Sequence, residues 1–146
     1  MALITNPAAT AVIKVALRVH SALGPGLFES VYEDCITHEL RKLSLSFQRQ
    51  VALPLTYDGR LFPRAFIADL IVEGQVLVEL KSIERLLPIH SAQILTYMRI
   101  ANIDKGLLIN FNSTKLKDGL KSFIRGSLAH QGGLTPDELD LLTIQP

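Results

Sequence analysis

The sequence contains one cysteine, Cys35, in 146 residues. That excludes an intrachain disulfide framework and suits a reducing compartment. It also excludes a CxxC pair, and no His/Cys spacing supports zinc. No apolar run approaches the roughly 18–20 residues that a membrane-spanning helix needs. The first residues lack the basic stretch, apolar run and cleavage site of a secretory signal. Charge of either sign is not in excess: 15 Lys and Arg face 14 Asp and Glu, for a net +1. A global electrostatic signature of nucleic-acid binding is therefore missing, and any basic footprint must be local. There is no internal repeat and no low-complexity tract. What is present, 48% hydrophobic and 20% charged residues, fits one globular domain with a sizeable core. The expectation is a cytoplasmic protein without a membrane partner.

Against this plain background one stretch stands out. Val76-Leu77-Val78-Glu79-Leu80-Lys81-Ser82 reads as a buried strand, yet it carries a carboxylate and an ammonium two residues apart. Strand side chains alternate faces, so Glu79 and Lys81 share one side and Val78 and Leu80 the other. Just upstream, Ala65 to Val72 is a second apolar strand with a lone Asp69 in its middle. Charged groups in such strands are costly unless paired or bound to a metal. The alternatives are a structural ion pair, which stabilises weakly, and a divalent-cation site with a lysine beside it. Mg²⁺ or Mn²⁺ wants oxygen ligands; Asp69 and Glu79 supply two carboxylates and the Leu80 carbonyl a further oxygen. Lys81 beside the cation can orient water, help lower its pKa, or offset charge on a phosphorane-like transition state. The register between the strands decides the matter. A two-residue turn at Glu73-Gly74 sends Asp69 and Glu79 to opposite faces; a three-residue turn or a bulge places them on one. The cation site requires the second geometry.

The rest of the chain supplies the frame. After a loose leader, Met1 to Ala9, a helix is expected from Thr10, with Val12, Val15, Ala16, Val19 and Leu23 at helical spacing. Gly24-Pro25-Gly26 stops it. A second helix, Phe28 to Leu43, has Glu29 in its first turn, where the helix dipole favours a carboxylate, and Tyr32 on the same flank. Gln50 to Tyr57 alternates as a half-buried strand, with Pro54 marking an edge; Asp58-Gly59 is a hairpin turn, and Arg64 to Val72 is a central strand. Pro88 opens a helix to Asn102, with His90, Gln93 and Tyr97 along one flank. A buried strand follows at Gly106 to Phe111, expected parallel to the Glu79 strand. Leu116 to Leu128 reads as a further helix, with Leu116, Leu120, Phe123 and Ile124 inward and Lys117, Lys121 and Arg125 outward. His130-Gln131-Gly132-Gly133 reads as a joint, and Thr135-Pro136-Asp137-Glu138 as a capping box that begins a short last helix. The fold class is α/β, a mixed sheet in the order helix, three strands, helix, strand, with helices added at both ends.

Asp69 followed by Glu79-Leu80-Lys81 resembles the Asp…Glu-x-Lys signature of the PD-(D/E)XK nuclease superfamily. The proline that often precedes the aspartate is replaced by Ala68. Gly26-Leu27-Phe28-Glu29-Ser30-Val31-Tyr32 resembles the motif that names the GxxExxY protein family within it. Leu87 to Gln93, Leu107 to Phe111 and Leu116 to Gly119 also look like that family, which covers roughly residues 10–125 and leaves an extension from about 126. The resemblance implies a restriction-endonuclease-like core and a nuclease that uses Mg²⁺ or Mn²⁺. Asp69 and Glu79 would hold the metal, with Lys81, Glu29 and Gln93 assisting catalysis and Tyr32 in support. His90, Lys117 and Lys121 are candidate contacts to a nucleic-acid backbone, although a structural histidine and a solvated basic face are the plainer readings. A nuclease-fold module that binds nucleic acid or protein without turnover is the alternative function, and a homodimer is an open option. Neither DNA nor RNA is singled out.

Overall fold

The computed structural model describes residues 6–126 and 132–143. Helix α1 spans Pro7–Leu23 and α2 spans Glu29–Lys42. Strands β1 (Phe47–Tyr57) and β2 (Arg60–Val72) form a long hairpin, followed by β3 (Val76–Lys81). Helix α3 (Pro88–Ala101) leads to β4 (Lys105–Asn110). A 3₁₀ turn at Leu116–Gly119 leads to β5 (Leu120–Ile124), and α4 covers Pro136–Thr143. The sheet has five strands in sequence order, antiparallel except for the parallel β3–β4 pair. The parallel pair is the one joined through a helix, as a crossover demands.

Two apolar layers enclose the sheet. On one face, Val12, Ile13, Ala16, Tyr32, Ile36, Leu40 and Leu142 from α1, α2 and α4 pack on Leu70, Val78, Leu80, Leu107 and Ile109. On the other, Ile94 and Met98 of α3 pack on Leu77, Leu108 and Phe123. Glu79 and Lys81 follow Leu77 by twos, so they lie on the α3 face. The site therefore belongs to the thinner layer, which a single helix covers.

Local chemistry explains most element ends. Asn6 caps α1 by accepting the Ala9 amide at 3.0 Å, with Pro7 at the first helical position, where its missing donor costs nothing. The expected leader therefore gives way to helix at Pro7, and Met1 to Thr5 lie outside the described residues. Asp58 and Gly59 both take positive φ, 49° and 75°, the pair required by a tight hairpin turn. β1 is an edge strand, as Pro54 implied.

The expected helix from Leu116 to Leu128 is the main correction. Its first turn is 3₁₀, and residues 120–124 form β5; residues 127–128 lie outside the described residues. The apolar spacing of Leu116, Leu120, Phe123 and Ile124 fits a helix on paper. Without β5, however, the buried strand β4 would expose a row of unpaired backbone groups. β5 satisfies that edge from Lys105↔Ile124 to Ile109↔Leu120. The core thus has a fifth strand where a helix was expected, and Lys117, Lys121 and Arg125 share no helical face. The capping box holds: Glu138 accepts the Thr135 amide at 2.8 Å and donates its own amide to Thr135 Oγ1 at 3.3 Å. Of the expected joint, His130 and Gln131 lie outside the described residues.

Candidate metal centre and active site

The turn between β2 and β3 sets the site. Leu70 pairs with Val78, Ile71 with Leu77 and Val72 with Val76, which leaves Glu73, Gly74 and Gln75 as a three-residue turn. Glu73 and Gly74 both have positive φ, 53° and 62°, and the Gln75 amide closes on the Val72 carbonyl at 2.9 Å. Asp69 and Glu79 are next in this register, so they stand opposite each other on one face. That is the geometry a bridging cation requires.

At this level the ladder opens. The Asp69 amide donates to Glu79 Oε1 at 2.9 Å, and the Leu80 amide donates to Asp69 Oδ2 at 2.8 Å. Each carboxylate thus takes a backbone donor at the other's level, which fixes both rotamers. On the far side, β1 pairs Arg49 with Leu70 and Val51 with Ala68, while Gln50 between them adopts a left-handed φ of 48°. Its amide reaches Asp69 Oδ1 at 3.2 Å and Glu33 Oε1 at 2.7 Å. Arg49 closes the other side of Glu33 through Nε at 3.0 Å and Nη2 at 2.8 Å. Glu33, nearly buried on α2, therefore aims Gln50 at Asp69.

Two carboxylates are crowded where water is scarce. Glu79 is 7% exposed, and burial, with the Asp69 charge opposite, raises its pKa to about 8. Burial also raises Asp69, against the Leu80 and Gln50 hydrogen bonds. A pair that resists double ionisation is one that an added cation relieves. The donor set suits a hard divalent ion. The backbone amides engage Asp69 Oδ2 and Glu79 Oε1, and Gln50 Nε2 donates to Asp69 Oδ1, so each of these oxygens keeps a second lone pair for a cation. The N–H and C=O of one strand residue point the same way, so the Leu80 carbonyl, like its amide, faces the opened gap toward β2. The Lys81 carbonyl points instead to β4, accepting the Phe111 amide at 2.9 Å. Among the described residues no cluster of three His, Cys, Asp or Glu is found; the oxygens assembled here are two carboxylates and a carbonyl.

Other residues enter from neighbouring elements. Lys81 shares the Glu79 face, and its charge acts on both Glu79 and His90. The turn after it is pinned by Asn110, which accepts the Ile83 amide at 3.1 Å and donates to its carbonyl at 3.0 Å. Glu29, exposed at the start of α2, lies near enough for its charge to act on Asp69, Glu79 and His90. Tyr32 holds the loop before it: its hydroxyl donates to the Gly24 carbonyl at 2.6 Å and accepts the Leu27 amide at 3.2 Å, while its ring stacks on Phe111 at 4.5 Å. Ser82 donates to the Leu27 carbonyl, tying that loop to the end of β3.

His90 Nδ1 accepts the Leu87 amide at 2.8 Å, so it caps α3. Burial and the Lys81 charge lower its pKa, which favours a neutral ring. Gln93 is exposed on α3, one turn before Tyr97; no hydrogen bond joins it to Asp69 or Glu79. Lys121 stands on β5 opposite Leu108, itself opposite Glu79, in one row across the sheet, and its charge acts on His90. Lys117 is not part of this group: it lines a hollow with Lys115, Leu142 and Thr143 on the α4 side. Arg125 is paired with Asp104 at 2.7 Å.

Two contributors, Glu33 and Gln50, were not picked out from the sequence, and Tyr97 was placed on the flank of His90 and Gln93 without a role. The signal for Glu33 was its place one helical turn beyond Glu29. Tyr97 stands near the carboxylates; burial, then the Glu79 and Asp69 charges, raise its pKa. Its ring tilts against Phe66 at 5.0 Å.

A family model described as PD-(D/E)XK nuclease superfamily matches residues 6–123. No curated protein matches. A solved structure titled "Crystal structure of SSO0001" is similar at 15% identity over 97% of this chain and 75% of that one, with a TM-score of 0.42.

Proposed function

We propose that this chain, which belongs to the PD-(D/E)XK nuclease superfamily, is a metal-dependent nuclease that hydrolyses nucleic-acid phosphodiester bonds. Within the superfamily the GxxExxY family is the narrower placement, carried by Gly26, Glu29 and Tyr32. The observation that supports hydrolysis most is the pairing of Asp69 with Glu79 on one face, with Lys81 two residues on. A binding module has no need for two carboxylates held in a position that opposes their ionisation.

The Asp69 and Glu79 carboxylates and the Leu80 carbonyl would hold Mg²⁺ or Mn²⁺. A divalent cation there supplies Lewis-acid polarisation and charge compensation at the scissile phosphate. The Lys81 ammonium orients the attacking water and offsets negative charge as the phosphorus becomes five-coordinate. Glu29 at the mouth accepts hydrogen bonds from ordered water, and Gln93 assists from α3. Gln50, held by Glu33, keeps Asp69 in its ligating rotamer. Lys121 and the neutral His90 ring lie where a phosphate strand leaves the site, and Lys117 plays no part at this face.

The test is a cleavage panel over single- and double-stranded DNA and RNA, with Mg²⁺, Mn²⁺ or chelator. The expected result is metal-dependent cleavage that Lys81→Ala abolishes while the circular dichroism spectrum is unchanged. Cleavage that persists with Lys81→Ala contradicts the assignment. Nucleic-acid binding with no metal-stimulated cleavage favours the silent module.

A further inference from the structure

The β1–β2 hairpin is longer than the sheet it joins. β3 pairs with β2 only from Leu70 to Val72, so the remainder of the hairpin continues as a two-stranded ribbon. Its base is covered: Leu53 and Phe66, which pair, pack in the α3 layer. Beyond them every residue from 54 to 64 is exposed. An isolated two-stranded ribbon is marginal in water, and this one displays Leu55, Tyr57, Leu61 and Phe62 to solvent, with Tyr57 73% exposed.

The ribbon has two different faces. Leu55 pairs with Phe62 and Tyr57 with Arg60, and directly paired residues share a face. Arg64 lies in a bulge, where residues 63–65 of β2 stand opposite Pro54 alone, so alternation does not set its face. One face thus combines Leu55, Tyr57, Phe62 and Arg60, with the Arg60 guanidinium 5.1 Å over the Phe62 ring, and Arg64 is exposed two residues from Phe62. Thr56 and Leu61 occupy the other. The only acid on the ribbon is Asp58, which is used in its turn. Leu55 and Tyr57 also follow Leu53 by twos, so the cationic-aromatic face continues the α3 side of the sheet, where Asp69 and Glu79 lie.

We infer that this ribbon is a nucleic-acid-holding arm: Arg60 and Arg64 contact backbone phosphates, and Tyr57 and Phe62 pack on bases or sugars, well away from the cleaved bond. The inference rests on the hydrolytic reading for its ligand. Guanidinium groups between aromatic rings match a strand that alternates phosphates with flat apolar bases. Tyr57, which pairs with Arg60, lies seven residues along β1 from Gln50 beside Asp69, which corresponds to about 23 Å of strand at ~3.3 Å per residue. The arm therefore engages substrate only if that substrate extends roughly seven base pairs past the site, at ~3.4 Å each. Pairing with a second copy fits less well. Pro54 interrupts the open β1 edge, and a two-fold contact between these faces would set arginine against arginine.

The test uses the full chain and labelled DNA, a 5-residue single strand and a 30-residue form as single strand and duplex, with anisotropy measured in chelator so that no cleavage intervenes. Arg60→Ala/Arg64→Ala is expected to weaken binding of the 30-residue form at least tenfold at low salt and leave the 5-residue form unchanged. On duplex the slope of log affinity against log salt should shrink by about 1.8, the loss of two phosphate contacts at ~0.9 each. Arg60→Lys/Arg64→Lys should keep the slope, and Tyr57→Ser/Phe62→Ser should lower affinity with the slope intact. Unchanged affinity and slope for the long forms overturns the arm. So does a change in sedimentation-equilibrium mass in the arginine variant, which assigns the ribbon to a second copy. Cleavage by the unmodified protein is scored separately with Mn²⁺. If it is absent while the arm variant still loses binding, the hydrolytic reading fails and the arm stands; cleavage with an unaffected arm variant removes the arm alone.

Discussion

Glu79 and Glu138 are both nearly buried carboxylates, and their surroundings drive them in opposite directions. Glu79 has another carboxylate opposite; its pKa is raised to about 8, first by burial and then by Asp69. Burial also acts against ionised Glu138, but the Thr135 amide and Lys105 outweigh it and the pKa falls. The pH consequences are opposite. Folded, metal-free protein holds a proton on Glu79 that the unfolded chain releases near the ordinary glutamate value of 4.5. Stability from this group therefore declines as pH rises from about 4.5 to about 8. In urea denaturation with chelator, the protein should be less stable at pH 9 than at pH 6, and Glu79→Gln should remove much of that difference. An equal pH dependence in Glu79→Gln would show that Glu79 is ionised in the fold. Cation binding must expel the same proton, so Mn²⁺ affinity should increase between pH 6 and 8. Calorimetry in buffers of different ionisation enthalpy should show proton release, and pH-independent binding would contradict this reading.

At the scale of elements, α4 is attached by a buried polar clasp. Lys105 Nζ lies 2.9 Å from Glu138 Oε2, and Ser122 Oγ donates to the same oxygen at 3.0 Å. Removing one partner leaves a buried charge alone, so Lys105→Met should cost about 3–5 kcal/mol. The double variant Lys105→Met/Glu138→Leu should cost less than Lys105→Met alone, although it sacrifices the Thr135 cap; urea denaturation of both gives the comparison. Because the folded Glu138 pKa is depressed, its contribution is present above the unfolded pKa and lost as pH falls through the folded one. Legibility in the sequence varied by element. α1, α2 and α3 could be read because each buries one stripe, and the Asp58-Gly59 turn because only certain residues take two positive φ values. β5 could not, since its apolar positions fit helix and strand alike and the deciding factor was the open edge of β4, a property of a distant segment. The same limit applied to the site. Asp69, Glu79 and Lys81 were conspicuous as charges in apolar strands. Glu33 and Gln50 were not, and Tyr97 was read only as a flank neighbour of Gln93, because their role depends on which elements pack beside β2.

For the whole molecule, the layers divide the work. The face packed by α1, α2 and α4 holds the larger core, and the α3 face carries the acidic pair and continues into the ribbon. No described helix is long and apolar enough to cross a membrane. Tyr32 links the two faces: seated in the core against Phe111, it holds the loop that presents Glu29 to the mouth of the site. Tyr32→Phe keeps the stacking and frees the loop. It is expected to lower metal-dependent cleavage several-fold with little change in Tm; cleavage at the full rate would limit Tyr32 to packing. The hydrolytic reading depends on Asp69 and Glu79 forming one cation site, and Mn²⁺ titration followed by electron paramagnetic resonance tests it most directly. The unmodified protein should bind one Mn²⁺ per chain, and Asp69→Asn/Glu79→Gln should lose that ion while remaining folded. Equal Mn²⁺ binding by the double variant would contradict the account.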